Sequence, residues 1–324
     1  MKFNRRSFLA GTIAATSAAL LPKPAARAAV NSGKWATLID LTRCDGCENE
    51  AMPRCVTACH TKNEARFPEP DKAMLKDYWP KSFHEDWSSK RTQFRRLTPY
   101  NWLYVDEVYL EIDGRDERVN IPRRCMHCDD PPCVSLCPFG TAQKDPDGPV
   151  HIDPALCFGG AKCKVVCPWH VPQRQAGVGP YTALDPLPIG GGVMYKCDLC
   201  RDLLSTGEPP RCIAACPTRA MSIGPREKID TLAETLRKKY SGYVYGRDEH
   251  GGTATLYVSK IPFETIDAAL IEDVDPNQVM RFHQPRNEKR QQHKLASAAL
   301  LAPLAGAVAA FAVTINNREK SHDR

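Results

Sequence analysis

The chain has 324 residues, a net charge of +6 and 42% hydrophobic content, enough for one large or two modest packed domains. Its Lys and Arg residues are spread along the chain without interleaved aromatics, which excludes the basic groove of a nucleic-acid binder. Cysteine is the outlier: there are 15, and every one falls within a local motif.

The chain opens with Asn4-Arg5-Arg6-Ser7-Phe8-Leu9, an apolar stretch to Leu21, and Ala26-Arg27-Ala28. These are the charged, apolar and cleavage-site parts of a signal peptide over residues 1–28. The arginine pair resembles a twin-arginine signal, an ordinary secretory signal being the alternative. That route, as the resemblance implies, exports folded proteins with cofactors in place. Residues 29–294 then form the exported body.

Motif one is Cys44, Cys47, Cys55 and Cys59. An insertion, 60–124, follows with Trp79, Phe83, Trp87 and Trp102, read as a lid over the core or a docking surface. Its end, Leu103–Ile112, the turn at Asp113-Gly114 and Arg118–Ile121, reads as a β-hairpin. Motif two is Cys125, Cys128, Cys133 and Cys137, and motif three is Cys157, Cys163 and Cys167. The segment Val171–Gly192 reads as a loop, because its three glycines lack any phosphate-loop context. Motif four is Cys197, Cys200, Cys212 and Cys216. Arg226–Tyr240 reads as a helix with Leu232 and Leu236 on one face, and Thr253–Ser259 as a strand after the turn at Gly251-Gly252. The uncharged run Leu295–Ile315 has the ~20 residues that a membrane-spanning helix needs, with 316–324 as a tail. Basic residues flank that run on both sides, so its orientation is taken from the export signal.

All four motifs close with Cys-x3-Cys, and Pro138, Pro168 and Pro217 follow the last Cys of motifs two, three and four. That pattern is the signature of bacterial ferredoxins, in which three thiolates hold one cluster and the fourth reaches across to the next. The proline is expected to open a helix that carries the fourth Cys away from its own motif. Disulfides and zinc sites also use paired cysteines, but neither calls for a repeated Cys-x3-Cys-Pro. Covalent haem would need a Cys-x-x-Cys-His string, which is absent, so His60 reads as a polar residue beside a cluster. Motif three has Gly160 where its second Cys should stand. The reading is a [3Fe–4S] cluster there, with a fourth [4Fe–4S] cluster using a non-Cys ligand as the alternative. Lys162, Lys164, Lys196 and Arg201 flank cysteines and read as counter-charges to the clusters.

Over about residues 35–225 these motifs resemble the four-cluster ferredoxin subunits of periplasmic respiratory oxidoreductases. That family includes formate dehydrogenase-N beta subunits, hydrogenase-2 iron–sulfur subunits and dimethyl sulfoxide reductase electron-transfer subunits. The resemblance implies an α+β fold of two pseudo-symmetric ferredoxin-like modules, motifs one with four and two with three, a β-containing insertion and a C-terminal transmembrane helix. It implies four ligand sets: Cys44, Cys47, Cys55 and Cys216; Cys197, Cys200, Cys212 and Cys59; Cys125, Cys128, Cys133 and Cys167; and Cys157, Cys163 and Cys137. Three would hold [4Fe–4S] clusters and the last the [3Fe–4S]. It further implies a non-catalytic electron-transfer role on the periplasmic face of the membrane. The partners would be an integral membrane quinone-binding subunit and a catalytic subunit (molybdopterin or NiFe) or a multihaem cytochrome c. Two other readings stand beside it. One is an exported scaffold stapled by zinc or disulfides, and the other is a terminal enzyme with an open iron at Gly160.

Overall fold

The computed structural model describes residues 34–78, 81–112, 114–187, 189–273 and 280–282. The export signal, Trp79, Asp113, the run Leu295–Ile315 and the basic residues around it, save Arg281, lie outside these. Among the described residues no helix is long and apolar enough to cross a membrane.

The first strand, β1 (Trp35–Asp40), is buried along nearly its whole length because both of its faces are covered. It pairs antiparallel with β8 (Met221–Pro225) and parallel with β10 (Thr255–Ser259), which in turn pairs antiparallel with β9 (Tyr243–Tyr245). The sheet order is therefore β8-β1-β10-β9. Side chains alternate across a strand, and the two faces serve different cores. Ala36, Leu38, Leu256 and Val258 pack against Ile229 and Ala233 of helix α6 (Arg226–Tyr240), whose bounds are those read from the sequence. Leu232 and Leu236 lie at the edge of that contact, half-buried. On the other face Ile39, Met221 and Tyr257 join the larger core, which contains the buried cysteines.

The insertion ends in the expected hairpin, β2 (Tyr104–Ile112) and β3 (Arg115–Arg123), with Tyr104 opposite Arg123. Trp102 is buried in the large core, whereas Phe83 is exposed. His60 is set between Phe67 and Phe94, with ring centroids 4.8 Å and 5.3 Å away. Two small hairpins, β4 (Ala142–Lys144) with β5 (Val150–Ile152) and β6 (Gln173–Gln175) with β7 (Val193–Tyr195), separate the middle motifs. Helix α7 (Phe263–Asp273) follows β10. The architecture is α+β.

Candidate metal centres

Three pieces recur among the motifs, the third of them absent from motif one. The first is the Cys-x2-Cys turn. Its third residue has a left-handed backbone in all four motifs: Gly46 (φ 68°), His127 (48°), Leu199 (62°) and Gly159 (67°). That conformation turns backbone N–H groups back on the first sulfur. His127 N–H donates to Cys125 Sγ at 3.5 Å and Leu199 N–H to Cys197 Sγ at 3.4 Å. In motifs one and four, Asp45 and Asp198 accept from the N–H of Cys47 and Cys200 (3.0 and 2.9 Å), an Asx-type turn that supports this geometry. Motif three keeps the turn, with Gly160 in the place of the second thiol.

The second piece is a short helix with the third Cys at its second residue. These are α1 (Arg54–Asn63, Cys55), α2 (Pro132–Ser135, Cys133), α3 (Lys162–Val165, Cys163) and α5 (Arg211–Ala214, Cys212). Pro53, Pro131 and Pro210 stand just ahead of three of them, with φ values already suited to a helix entry. A further short helix, α4 (Arg201–Ser205), follows Cys200.

The third piece corrects an expectation. The prolines after Cys137, Cys167 and Cys216 open tight turns, not helices. Three residues beyond each Cys the backbone is left-handed, at Gly140, His170 and Arg219, and that residue's N–H donates to the cysteine carbonyl at 3.2, 3.0 and 3.3 Å. The chain then enters β4, β6 and β8. Cys59 has no such proline and stays within α1.

The structure brings Cys44, Cys47, Cys55 and Cys216 to the wall of one cavity. Cys125, Cys128, Cys133 and Cys167 line another, together with Lys196. Burial pushes the Cys59 thiol up, and its neighbours Cys212, Cys197 and Cys200 push it further. Burial likewise raises Cys163, with Cys133, Cys157, Cys167 and Cys137 beside it. The two middle sets are thus adjacent, and Cys197 faces Cys125 across the other boundary. Burial raises Cys44, Cys167 and Cys197 to about 12, and Cys133 and Cys200 to about 11. Cys137 goes the other way: a hydroxyl contact from Thr141 (3.3 Å) and backbone N–H groups outweigh its burial.

The donor set fits iron–sulfur cages: thiols alone, mostly buried, gathered around cavities, with N–H groups aimed at sulfur. All fifteen cysteines are free of disulfides. Among the described residues no three His, Cys, Asp or Glu side chains converge on one metal ion. A tetrahedral zinc site requires such convergence, whereas thiolates of a cubane each bind a different iron.

Of the four cations singled out by sequence, one reaches sulfur. Lys196 Nζ, buried, lies 3.4 Å from Cys125 Sγ. Lys164 is paired with Glu85 (3.1 Å), Arg201 with Asp145 (2.6 Å), and Lys162 is exposed. Two fully buried groups were missed by the sequence reading, Arg124 and His127. Their only sequence signal is that each lies beside a motif cysteine.

Residues 117–226 match a family model described as a 4Fe-4S dicluster domain, and residues 43–141 match a second model with the same description. The protein is 31% identical to the hydrogenase-2 operon protein HybA of Escherichia coli O157:H7, over 84% of its own length and 85% of that protein. It is 29% identical to the B subunit of the anaerobic dimethyl sulfoxide reductase of Escherichia coli K12, over 64% of its own length and 78% of that subunit. It is also 29% identical to the nitrate-inducible formate dehydrogenase iron-sulfur subunit of the same strain, over 69% and 67%.

Proposed function

The chain belongs to the family of ferredoxin-type electron-transfer subunits of respiratory oxidoreductases, and from that premise we infer that it holds four iron–sulfur clusters and relays electrons between two protein partners. The observation that carries this reading is the gathering of thiols from distant motifs around shared cavities: Cys216 with motif one, and Cys167 with motif two. Cys44, Cys47, Cys55 and Cys216 hold one [4Fe–4S] cluster, and Cys59, Cys197, Cys200 and Cys212 a second. Cys125, Cys128, Cys133 and Cys167 hold the third. Cys137, Cys157 and Cys163 hold a [3Fe–4S] cluster, because Gly160 offers no ligand.

When bound, such clusters supply one-electron transfer with little rearrangement of the protein. The chain's own residues hold them apart, exclude water and set the local charge, and no side chain is asked to make or break a bond. The twin-arginine signal at 1–28 carries the folded body to the periplasmic side, and Leu295–Ile315 anchors it there.

One face suits the membrane partner. Leu136, Phe139, Leu156 and Val165 are exposed around the three-cysteine site, and Phe139 stacks on Phe158 with centroids 4.9 Å apart. Exposed apolar groups gathered at one place mark an interaction surface. We assign that face to the integral membrane quinone-binding subunit. The far end, near Cys44 and Cys47, is left to a catalytic subunit or a multihaem cytochrome.

The test is iron and acid-labile sulfide analysis of the anaerobically isolated protein, with electron paramagnetic resonance of its oxidised and reduced forms. A [3Fe–4S] signal when oxidised, beside three cubanes when reduced, is expected. A colourless protein carrying zinc and no sulfide would reject the reading in favour of the exported scaffold.

A further inference from the structure

We propose that Lys196 and His127 form a crossed bridge between the two modules, in which the motif that supplies each group uses it to act on a sulfur of the other module. The proposal rests on the ligand sets given above.

Arg124 and Lys196 occupy equivalent places. Each follows the last residue of a strand, Arg123 of β3 and Tyr195 of β7, and each directly precedes the first Cys of its motif. Both are buried. They differ in reach: Arg124 Nη1 donates to the carbonyl of adjacent Cys125 at 3.4 Å, within its own module, whereas Lys196 reaches a sulfur of the other. The Lys196 ammonium donates to Cys125 Sγ at 3.4 Å, to the Cys197 carbonyl at 2.9 Å and to the Val150 carbonyl. Its three donors are thus all committed, two of them across the boundary. Arg124 Nη2 is held by Thr37 Oγ1 on the inner face of β1, at 2.6 Å.

His127 adds a neutral donor in the direction opposite to Lys196. The Val150 N–H donates to its Nδ1 at 2.9 Å, so Nδ1 carries no proton. The ring proton is therefore on Nε2, which faces Cys197 Sγ at 3.8 Å. His127 belongs to the motif-two turn, and Cys197 belongs to motif four. Sulfurs of both inner centres are thereby touched by groups from the opposite module.

A full charge buried beside sulfur is only weakly screened by solvent or salt. A cation stabilises the more negative, reduced state of the centre that it faces, so it raises that centre's potential. Because Lys196 reaches across, the effect of removing its charge should appear on the other module.

The experiment is a potentiometric titration followed by electron paramagnetic resonance on the full-length protein. The two inner centres are told apart beforehand by Cys→Ser ligand variants. Lys196→Gln is expected to lower the midpoint potential of the centre at Cys125, Cys128, Cys133 and Cys167 more than that at Cys59, Cys197, Cys200 and Cys212. Lys196→Arg should stay close to the parent protein. A shift confined to the module that supplies Lys196, the absence of any shift, or an equal shift in the charge-keeping variant would overturn the proposal. His127→Asn tests the other direction, and takes the place of Lys196→Gln should that variant fail to assemble its centres. Asparagine tolerates the left-handed backbone but is too short to reach Cys197. A lowered potential at the motif-four centre supports the bridge, and an unchanged one rejects it. If the parent protein itself lacks iron, the ligand sets fail rather than the bridge.

Discussion

At Gly160 the backbone is ready for a side chain that the sequence does not supply. A Cβ built there meets nothing within 4 Å, and the residue is exposed without a left-handed φ. The neighbouring Gly159 is the opposite case. Its φ is 67°, and an added Cβ would stand 2.4 Å from the Gly192 carbonyl oxygen. Arg174 Nη1 also donates to the Gly159 carbonyl at 2.9 Å, which pins the turn. The turn therefore keeps its shape with only the thiol missing. Gly160→Cys should complete the ligand set that we propose for the [3Fe–4S] cluster. The expected result is loss of the oxidised-state [3Fe–4S] signal and a gain of about one iron per chain. Persistence of that signal in a fully assembled variant would mean that something other than the absent thiol fixes the cluster type. Gly159→Ala should prevent assembly of the same site, because neither its φ nor its surroundings admit a Cβ.

The elements show which local signals survive tertiary packing. Helix α6 ends in a Schellman cap: Gly242 N–H donates to the Arg237 carbonyl (2.9 Å) and Ser241 N–H to that of Lys238 (3.2 Å). Ser241 adopts the left-handed conformation (φ 48°), at a cost of ~1–2 kcal/mol for an L-residue. Ser241→Gly is therefore expected to stabilise the protein by about 1 kcal/mol, read as slower thermal inactivation; no gain would mean that the serine makes a compensating contact. The bounds of α6 and the β2–β3 hairpin were legible because their signals are local: apolar periodicity in one, alternation and a glycine turn in the other. The α5 entry is equally local, but the Pro ahead of it competes as a signal with the Pro after Cys216, and the latter misleads. Proline suits a turn as well as a first helical residue, and what decides is the left-handed residue two positions later. Gly140 hints at that conformation, but His170 and Arg219 do not. The same holds for Leu199 and His127, whose left-handed backbone no glycine announces. The charge partners were hidden for a related reason. Lys164 and Arg201 sit beside cysteines in sequence but answer Glu85 and Asp145, which no adjacency reveals.

At the scale of the whole molecule, closure of the chain depends on the cysteines as well as on the sheet. β1, near the start of the described chain, is sandwiched between β8 and β10 from its far end. The cavity at Cys44, Cys47 and Cys55 is completed by Cys216, and Cys59 lies with Cys197, Cys200 and Cys212. If both sets hold clusters, each ties segments separated by well over a hundred residues. A covalent cross-link closing a loop of that length stabilises by about 5 kcal/mol, while a whole domain is stable by only ~5–15 kcal/mol. Two such ties therefore rival the entire net stability. Losing them would also leave Cys55, Cys59, Cys197 and Cys212 lining voids in the main core, which costs further packing energy. The exposed ion pairs, such as Arg211 with Glu208, contribute at most about 1 kcal/mol each and cannot compensate. Anaerobic removal of iron with a strong chelator is thus expected to unfold the body as one unit. Bleaching of the cluster absorbance, loss of near-ultraviolet circular dichroism and the onset of protease sensitivity should share one time course. An iron-free chain that keeps its dichroism and resists protease would show that the β8-β1-β10-β9 sheet and α6 suffice alone, and that the thiol sets do not close the fold.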